Sequence, residues 1–255
     1  MQKRFADKVV LVTGASAGIG KVTAIEFGRE GARVVVAARR AAESEATVRA
    51  IREAGGDAIF IPTDVANADS VQAMVARTIE TWGRLDCAFN NAGIAGDVFL
   101  PTADHTEANW DHVLDVNLKG TFLCMKWQIP EMLKAGGGAI VNNSSVYGLK
   151  PSTVGHAPYA VSKHGVVALT KTAANEYAKQ GLRVNAVCPG WTHSELVDAA
   201  LDAYPHMIEQ IRQWVPMERV ADGIEIARLV LWLCSDEASY ITGQAIAPDG
   251  GWLTR

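Results

Sequence analysis

Tyr159 and Lys163 stand four residues apart in the segment Tyr159-Ala-Val-Ser-Lys163. On a helix, residues i and i+4 share a face. An ammonium held near a phenol favours the phenolate and lowers its pKa from about 10. A tyrosine tuned towards the working pH can hand a proton to an oxygen or take one away. Two hydroxyls, Ser144 and Ser145, follow the apolar run Ala139-Ile140-Val141, which reads as a buried strand. Either could bind the same oxygen as the tyrosine. By itself the spacing also describes an ordinary helix with an exposed Tyr and Lys, so the elements around it decide its meaning.

The first of those elements is glycine-rich. Val9-Val10-Leu11-Val12 is a buried-strand run. It leads into Thr13-Gly14-Ala15-Ser16-Ala17-Gly18-Ile19-Gly20 and then a helical pattern through Glu30, closed by Gly31. Arg33 to Ala37 is the next strand. Strand, glycine-rich turn, helix and strand form the dinucleotide-binding βαβ unit. Gly14 permits a tight turn, and Gly18 and Gly20 let backbone approach phosphate and strand. The helix amino terminus offers free N–H groups and the positive end of its dipole to a pyrophosphate.

The alternation continues along the chain. Glu43 to Ala54 is helical, Ala58 to Pro62 a strand followed by Thr63-Asp64-Val65, and Ser70 to Trp82 a helix. Leu85 to Phe89 is a fourth strand, ending in Asn90-Asn91-Ala92-Gly93. One long helix is predicted from roughly Glu107 to Lys134, with a kink or shifted hydrogen bonding at Pro130. Gly136-Gly137-Gly138 precedes the strand that leads to Ser145. The Tyr159 helix runs to about Gln180, Leu182 to Val187 is a sixth strand, and Ala245 to Ala247 a seventh. Strands alternating with helices at this spacing predict an α/β, Rossmann-type, doubly wound parallel sheet of about seven strands. Ligands of such sheets bind beyond the carboxyl ends of the strands. Thr13-Gly14, Arg39, Asp64, Asn90, Ser145 and Pro189-Gly190 all fall at such ends, so the separate motifs converge on one crevice.

Composition excludes several classes. The 255 residues are 49% hydrophobic and 20% charged, enough for one large domain spanning residues 1–255. A net charge of −4 leaves no basic footprint for nucleic acid, and scattered Lys and Arg leave no membrane-binding patch. The four cysteines, Cys87, Cys124, Cys188 and Cys234, form no Cys-x-x-Cys pair, which reads as reduced thiols of a cytoplasmic protein. The six histidines show no metal-binding spacing, so no metal is expected.

Taken together, these segments resemble the short-chain dehydrogenase/reductase family over nearly the whole chain. The resemblance rests on Thr13-Gly14-x-x-x-Gly18-Ile19-Gly20, Asp64-Val65, Asn90-Asn91-Ala92-Gly93, Asn117, Ser145, Tyr159-x-x-x-Lys163 and Pro189-Gly190. Lys163-His164-Gly165 and Val184-Asn185-Ala186-Val187-Cys188 are also similar to bacterial members labelled glucose-1-dehydrogenase-like. It implies an enzyme acting on CH–OH groups. Tyr159 would be the general acid in ketone reduction and the base in alcohol oxidation. Ser145, rather than Ser144, would bind the substrate oxygen. Lys163 would lower the tyrosine pKa and hold the nicotinamide ribose, and Asn117 would hold a water linking Lys163 to solvent. Gly14, Ser16, Gly18, Ile19, Gly20, Val65, Asn91, Ala92, Gly93, Pro189 and Gly190 would form the nucleotide site, with Asp64 at its adenine end. Either Thr192 or Ser194 would contact the nicotinamide. Tyr159 follows Ser145 by fourteen positions, one more than the family commonly has, which predicts a reshaped loop around Thr153 to Pro158.

The second strand ends Val36-Ala37-Ala38-Arg39-Arg40. An acidic residue there would take both ribose hydroxyls of NAD. Ala38 is neutral, and Arg39 offers a donor fork suited to a phosphate. NADP(H) is therefore the expected cofactor, with NAD(H) as the alternative if Arg39 and Arg40 are only solvated charges. The region from Trp191 to Val220 is predicted as two short helices forming a lid over an apolar substrate, with Leu196, Val197, Tyr204 and Trp214 among its side chains. His156 reads as an exposed loop residue. Small residues on the Tyr159 helix allow close helix packing, and the resemblance to a family that pairs through the corresponding helices implies a homotetramer, partly through the tail ending Gly250-Gly251-Trp252-Leu253. Alternatives are a 3-oxoacyl carrier-protein reductase, which would want a basic mouth, and a non-catalytic nucleotide-binding regulator, which the presence of Asn117, Ser145, Tyr159 and Lys163 disfavours.

Overall fold

The structure, a computed structural model, describes residues 3–255 apart from the side chains of Leu196 and Ala200. Seven strands are described: β1 (Val9–Thr13), β2 (Arg33–Ala38), β3 (Asp57–Pro62), β4 (Cys87–Asn90), β5 (Gly138–Asn143), β6 (Leu182–Val187) and β7 (Ala245–Ile246). They form one sheet in the order β3-β2-β1-β4-β5-β6-β7, and every pairing is parallel. Such strands are covered on both faces, which explains their unbroken Val, Ile and Leu runs.

Alternate residues of one strand serve opposite layers. Val10 and Val12 of β1 pack with α1 (Gly18–Arg29), α2 (Ala41–Glu53) and α9 (Gly223–Cys234) through Phe27, Ile51 and Ile226. Val9 and Leu11 pack with α3 (Ala68–Trp82), α5 (Gly120–Lys134) and α6 (Ala157–Tyr177) through Met74, Leu123 and Ala173. Each fully buried aliphatic or aromatic side chain contributes about 1.5–3 kcal/mol of transfer free energy. The order of connection reverses between β1 and β4, so their carboxyl ends diverge and leave a crevice.

The predicted long helix runs without a gap but is not α-helical throughout. It comprises α4 (Glu107–Leu114), a π-helical turn at Asp115–Lys119, and α5. Pro130 lies inside α5, where it supplies no N–H to the ladder, and around Asn117 the ladder widens to the π spacing. The Asn117 side chain binds backbone outside the helix there, and its carbonyl accepts from Thr121 Oγ1 at 2.8 Å. Two short helices, α7 (Glu195–Ala203) and α8 (Met207–Trp214), occupy the region expected to hold them. Among the described residues, no helix is long and apolar enough to cross a membrane.

Candidate active site

The carboxyl ends of β1, β2, β4, β5 and β6 border a cavity of about 510 Å³. Ser145, Tyr159 and Lys163 line it, as do Gly14, Ser16, Gly18, Ile19, Arg39, Arg40, Asp64, Val65, Asn91, Ala92, Gly93, Pro189, Gly190, Thr192 and Ser194. Two predicted site residues, Gly20 and Asn117, do not. A Cβ on Gly20 would come within 2.5 Å of the Gly14 carbonyl and the Asn91 amide, so this glycine lets the helix press against its own turn from behind. Asn117 is buried one layer deeper.

At the turn, Gly14 and Gly18 have φ of +64° and +52°, which a side chain would strain. Ala17 opens α1 with no side-chain cap, and the first turn carries no acidic residue. Its N–H groups therefore remain available to an anion, and the cradle fits a dinucleotide pyrophosphate. Ser194 packs against this turn: a Cβ on Gly18 would lie 3.2 Å from its Cβ. Thr192 is buried and donates to the Gly190 carbonyl at 3.2 Å. Asp64 accepts from Ala66 N–H at 3.0 Å.

Asn91 clamps the turn rather than pointing away from it. Its amide donates to the Thr13 and Gly14 carbonyls at 3.1 and 3.3 Å, and its oxygen accepts from Asn143 Nδ2 at 2.9 Å. Lys163, 3% exposed, donates from Nζ to the Asn143 carbonyl at 2.8 Å. Asn143 was not singled out in the sequence; its signal was its place at the end of the strand before Ser144. The Asn117 side chain bonds to Ile94 N–H and C=O at 2.8 and 2.9 Å and to Ser162 Oγ at 3.1 Å. Both Nδ2 hydrogens are engaged and Oδ1 accepts one bond, so the amide ties the strand-end loop to α6. Gly93 abuts both Asn117 and Lys163.

Ser144 and Ser145 separate cleanly. Ser144 Oγ donates to the Lys163 carbonyl at 2.8 Å, tying β5 to α6. Ser145 Oγ accepts from Tyr147 N–H at 3.2 Å and lies against the Tyr159 phenol. Burial pushes that phenol up to about 12, with the Ser145 hydroxyl opposing the shift. Burial likewise brings the Lys163 ammonium down to about 8. Nζ stands 5.4 Å from the centre of the Tyr159 ring. Burial therefore sets the direction of the Tyr159 shift, and the ammonium, over the ring rather than beside the hydroxyl, is placed to act on the phenolate once it forms.

Tyr159 packs against an aromatic cluster behind the cavity. Trp191, Trp214 and Trp252 stack with centroids 6.0–6.4 Å apart, and Tyr147 meets Trp252 edge-on at 5.6 Å. Trp252 is 5% exposed within its own chain. His156, read from sequence as exposed, is half-buried 5.6 Å from the Tyr159 ring, with neither ring nitrogen bonded; burial brings it down to about 4. The longer loop before Tyr159 is pinned over it, the Val154 carbonyl accepting from Phe99 N–H at 3.0 Å. Glu195, on the cavity wall and paired with Arg40, was also missed.

Comparison with known proteins agrees with this geometry. Residues 14–253 match the family model described as enoyl-(acyl carrier protein) reductase. The chain is 42% identical over 253 residues to an A-factor type gamma-butyrolactone 1'-reductase of Streptomyces virginiae, covering 98% of this chain and 97% of the relative. It is 43% identical over 245 residues to a 3-oxoacyl-[acyl-carrier-protein] reductase of Staphylococcus aureus, covering 96% and 97%. A protein of Agrobacterium tumefaciens whose crystal structure holds NADP superimposes with a TM-score of 0.89 at 32% identity, over 100% of this chain and 99% of that one. The chain belongs to the short-chain dehydrogenase/reductase family, NAD(P)-dependent oxidoreductases that act on alcohol and ketone groups.

Proposed function

We propose that this chain is an NADP(H)-dependent carbonyl reductase, equally a secondary-alcohol dehydrogenase, for a hydrophobic or aromatic ketone. One observation carries the reading: the Tyr159 phenol, the Ser145 hydroxyl and the Lys163 ammonium share a single cavity with an uncapped glycine turn. When bound, the nicotinamide cofactor supplies or accepts the hydride. The protein handles the proton. In reduction, Ser145 orients the carbonyl oxygen and Tyr159, protonated below about 12, donates to it as alkoxide character develops. The Lys163 charge stabilises the phenolate that remains, and Asn117 and Asn143 hold the loop and the ammonium in place.

Preference for NADP(H) is supported by Arg39, an exposed cation on the cavity wall with neither ion pair nor side-chain hydrogen bond among the described residues. The aromatic cluster packed beside Tyr159 supports an apolar substrate, with α7 and α8 as its lid. Exposed Phe122 on α5 and Val161 on α6 support a homotetramer, and four free, buried cysteines support a cytoplasmic location. The second reading, 3-oxoacyl carrier-protein reductase, is favoured by the Staphylococcus aureus relative.

The test is consumption of NADPH with cyclic and aryl ketones against an acetoacetyl thioester, using the parent and Tyr159→Phe. The parent should turn over the ketones best, and the variant should lose about 10²–10⁴-fold in kcat while still binding nucleotide. Faster turnover of the thioester would establish the second reading. Undiminished activity in Tyr159→Phe would refute the mechanism.

A further inference from the structure

Arg40 bridges two walls of the cavity. Its guanidinium donates to Ser16 Oγ on the glycine turn at 3.2 and 3.3 Å. The same group pairs with Glu195, Nη2 to Oε2 at 2.9 Å and Nη1 to Oε1 at 3.3 Å, and lies 3.5 Å from Glu43. Arg40 opens α2 and belongs to the nucleotide wall; Glu195 is the first residue of α7 and belongs to the lid. Both line the cavity. A guanidinium fork is shaped for two oxygens of a carboxylate or a phosphate. Here the two oxygens come from the protein's own lid.

We propose that Glu195 is a specificity-determining residue that competes with the 2′-phosphate of a nucleotide for Arg40, an inference that rests on the nucleotide reading of this cavity. A phosphate arriving at the fork either displaces the carboxylate or sits beside its negative charge. In both cases Glu195 opposes a phosphorylated nucleotide, whereas one with a free 2′-hydroxyl leaves the pair intact. Displacement also releases the first turn of α7 from the nucleotide wall, so the phosphorylated cofactor loosens the lid and an open lid favours that cofactor, reciprocally. Arg39 remains to hold the phosphate while Arg40 exchanges partners. The pair is largely exposed, with side-chain accessibilities of 42% and 64%, so the effect is several-fold rather than orders of magnitude.

The experiment titrates NADPH and NADH by nucleotide fluorescence into the full chain, as parent, Glu195→Gln, Arg40→Gln and the double variant. Glu195→Gln should tighten NADPH about three- to fivefold and leave NADH unchanged, and the gain should vanish in the Arg40→Gln background. Equal tightening of both nucleotides would overturn the proposal in favour of simple lid opening, and no change in either would also overturn it. A parent that binds NADH more tightly, with selective tightening of NADPH in Glu195→Gln, would defeat the NADP(H) preference while sustaining the role of Glu195. Binding of neither nucleotide would sink both.

Discussion

The Lys163 ammonium reaches the main-chain carbonyl of Asn143 at 2.8 Å, and the Asn143 side chain continues to Asn91, whose amide holds the Thr13 and Gly14 carbonyls. A single run of hydrogen bonds therefore joins the group that serves the proton to the turn that cradles the nucleotide. Side-chain amides, not loop packing, set the distance between the two halves of the site.

Asn91→Ala cuts that run and strands the Asn143 amide. An orphaned buried polar group costs about 1–3 kcal/mol. We expect the melting temperature to fall by several degrees and the nucleotide Kd to rise about tenfold, measured by thermal denaturation and fluorescence titration. A lower melting temperature with unchanged Kd would confine Asn91 to folding.

Gly20→Ala places a methyl group 2.5 Å from the Gly14 carbonyl, which is backbone and cannot swing aside. The turn must shift, and nucleotide affinity should drop at least tenfold while the fold persists in circular dichroism. Retained affinity would show that the turn tolerates displacement.

The two directions of reaction should respond oppositely to pH. Lys163 is charged below about 8 and neutral above it, whereas Tyr159 keeps its proton up to about 12. Ketone reduction should decline as pH rises through 8, because the phenolate left behind loses its cation. Alcohol oxidation needs the phenolate and should climb from pH 7 towards 10. Initial rates in both directions across pH 6–10 check this; a reduction rate flat through pH 8 would remove the Lys163 charge from the mechanism.

Glu225 closes a capping box with Asp222 at the start of α9 and holds Arg219 through two contacts of 2.7 Å. Arg219, and then the Asp222 N–H, draw its carboxyl down to about 2. This contribution is present above the ordinary carboxylate pKa of about 4.5 and is lost as pH falls through 2. Glu225→Ala should lower the melting temperature by about 1–4 °C at pH 7, since a lost cap costs about 1 kcal/mol. The gap between variant and parent should narrow as pH approaches 2.

Where local sequence and fold agreed, reading was direct. The Val-rich runs of β1 and β2 and the whole of β6 announced themselves because both their faces are buried, and the glycine turn because only glycine supplies its backbone angles. The features that escaped depend on partners distant in sequence. Asn143 and Glu195 acquire meaning only from Lys163 and Arg40, and Trp252 only from Trp214. The His156 ring is covered by a loop pinned through Phe99. Helix α9 was not anticipated at all, although Asp222 and Glu225 ahead of the run Ile226–Leu233 carry a recognisable start signal. The upward push on the Tyr159 pKa was not legible, because spacing gives proximity to Lys163 but not the depth of burial.

The wide turn at Asp115–Lys119 has a consequence for how this chain can change over time. One residue of helix corresponds to about 100° of rotation. A wide turn, however, spreads five residues over nearly the angle that about four sweep in an ordinary α turn. Deleting one residue from it would close the helix and leave Leu123, Cys124, Ile129 and Met132 facing the core as before. What such a deletion would remove is the seat of Asn117. The irregularity is thus a removable insertion as far as the layer behind it is concerned, and only the site has a use for it.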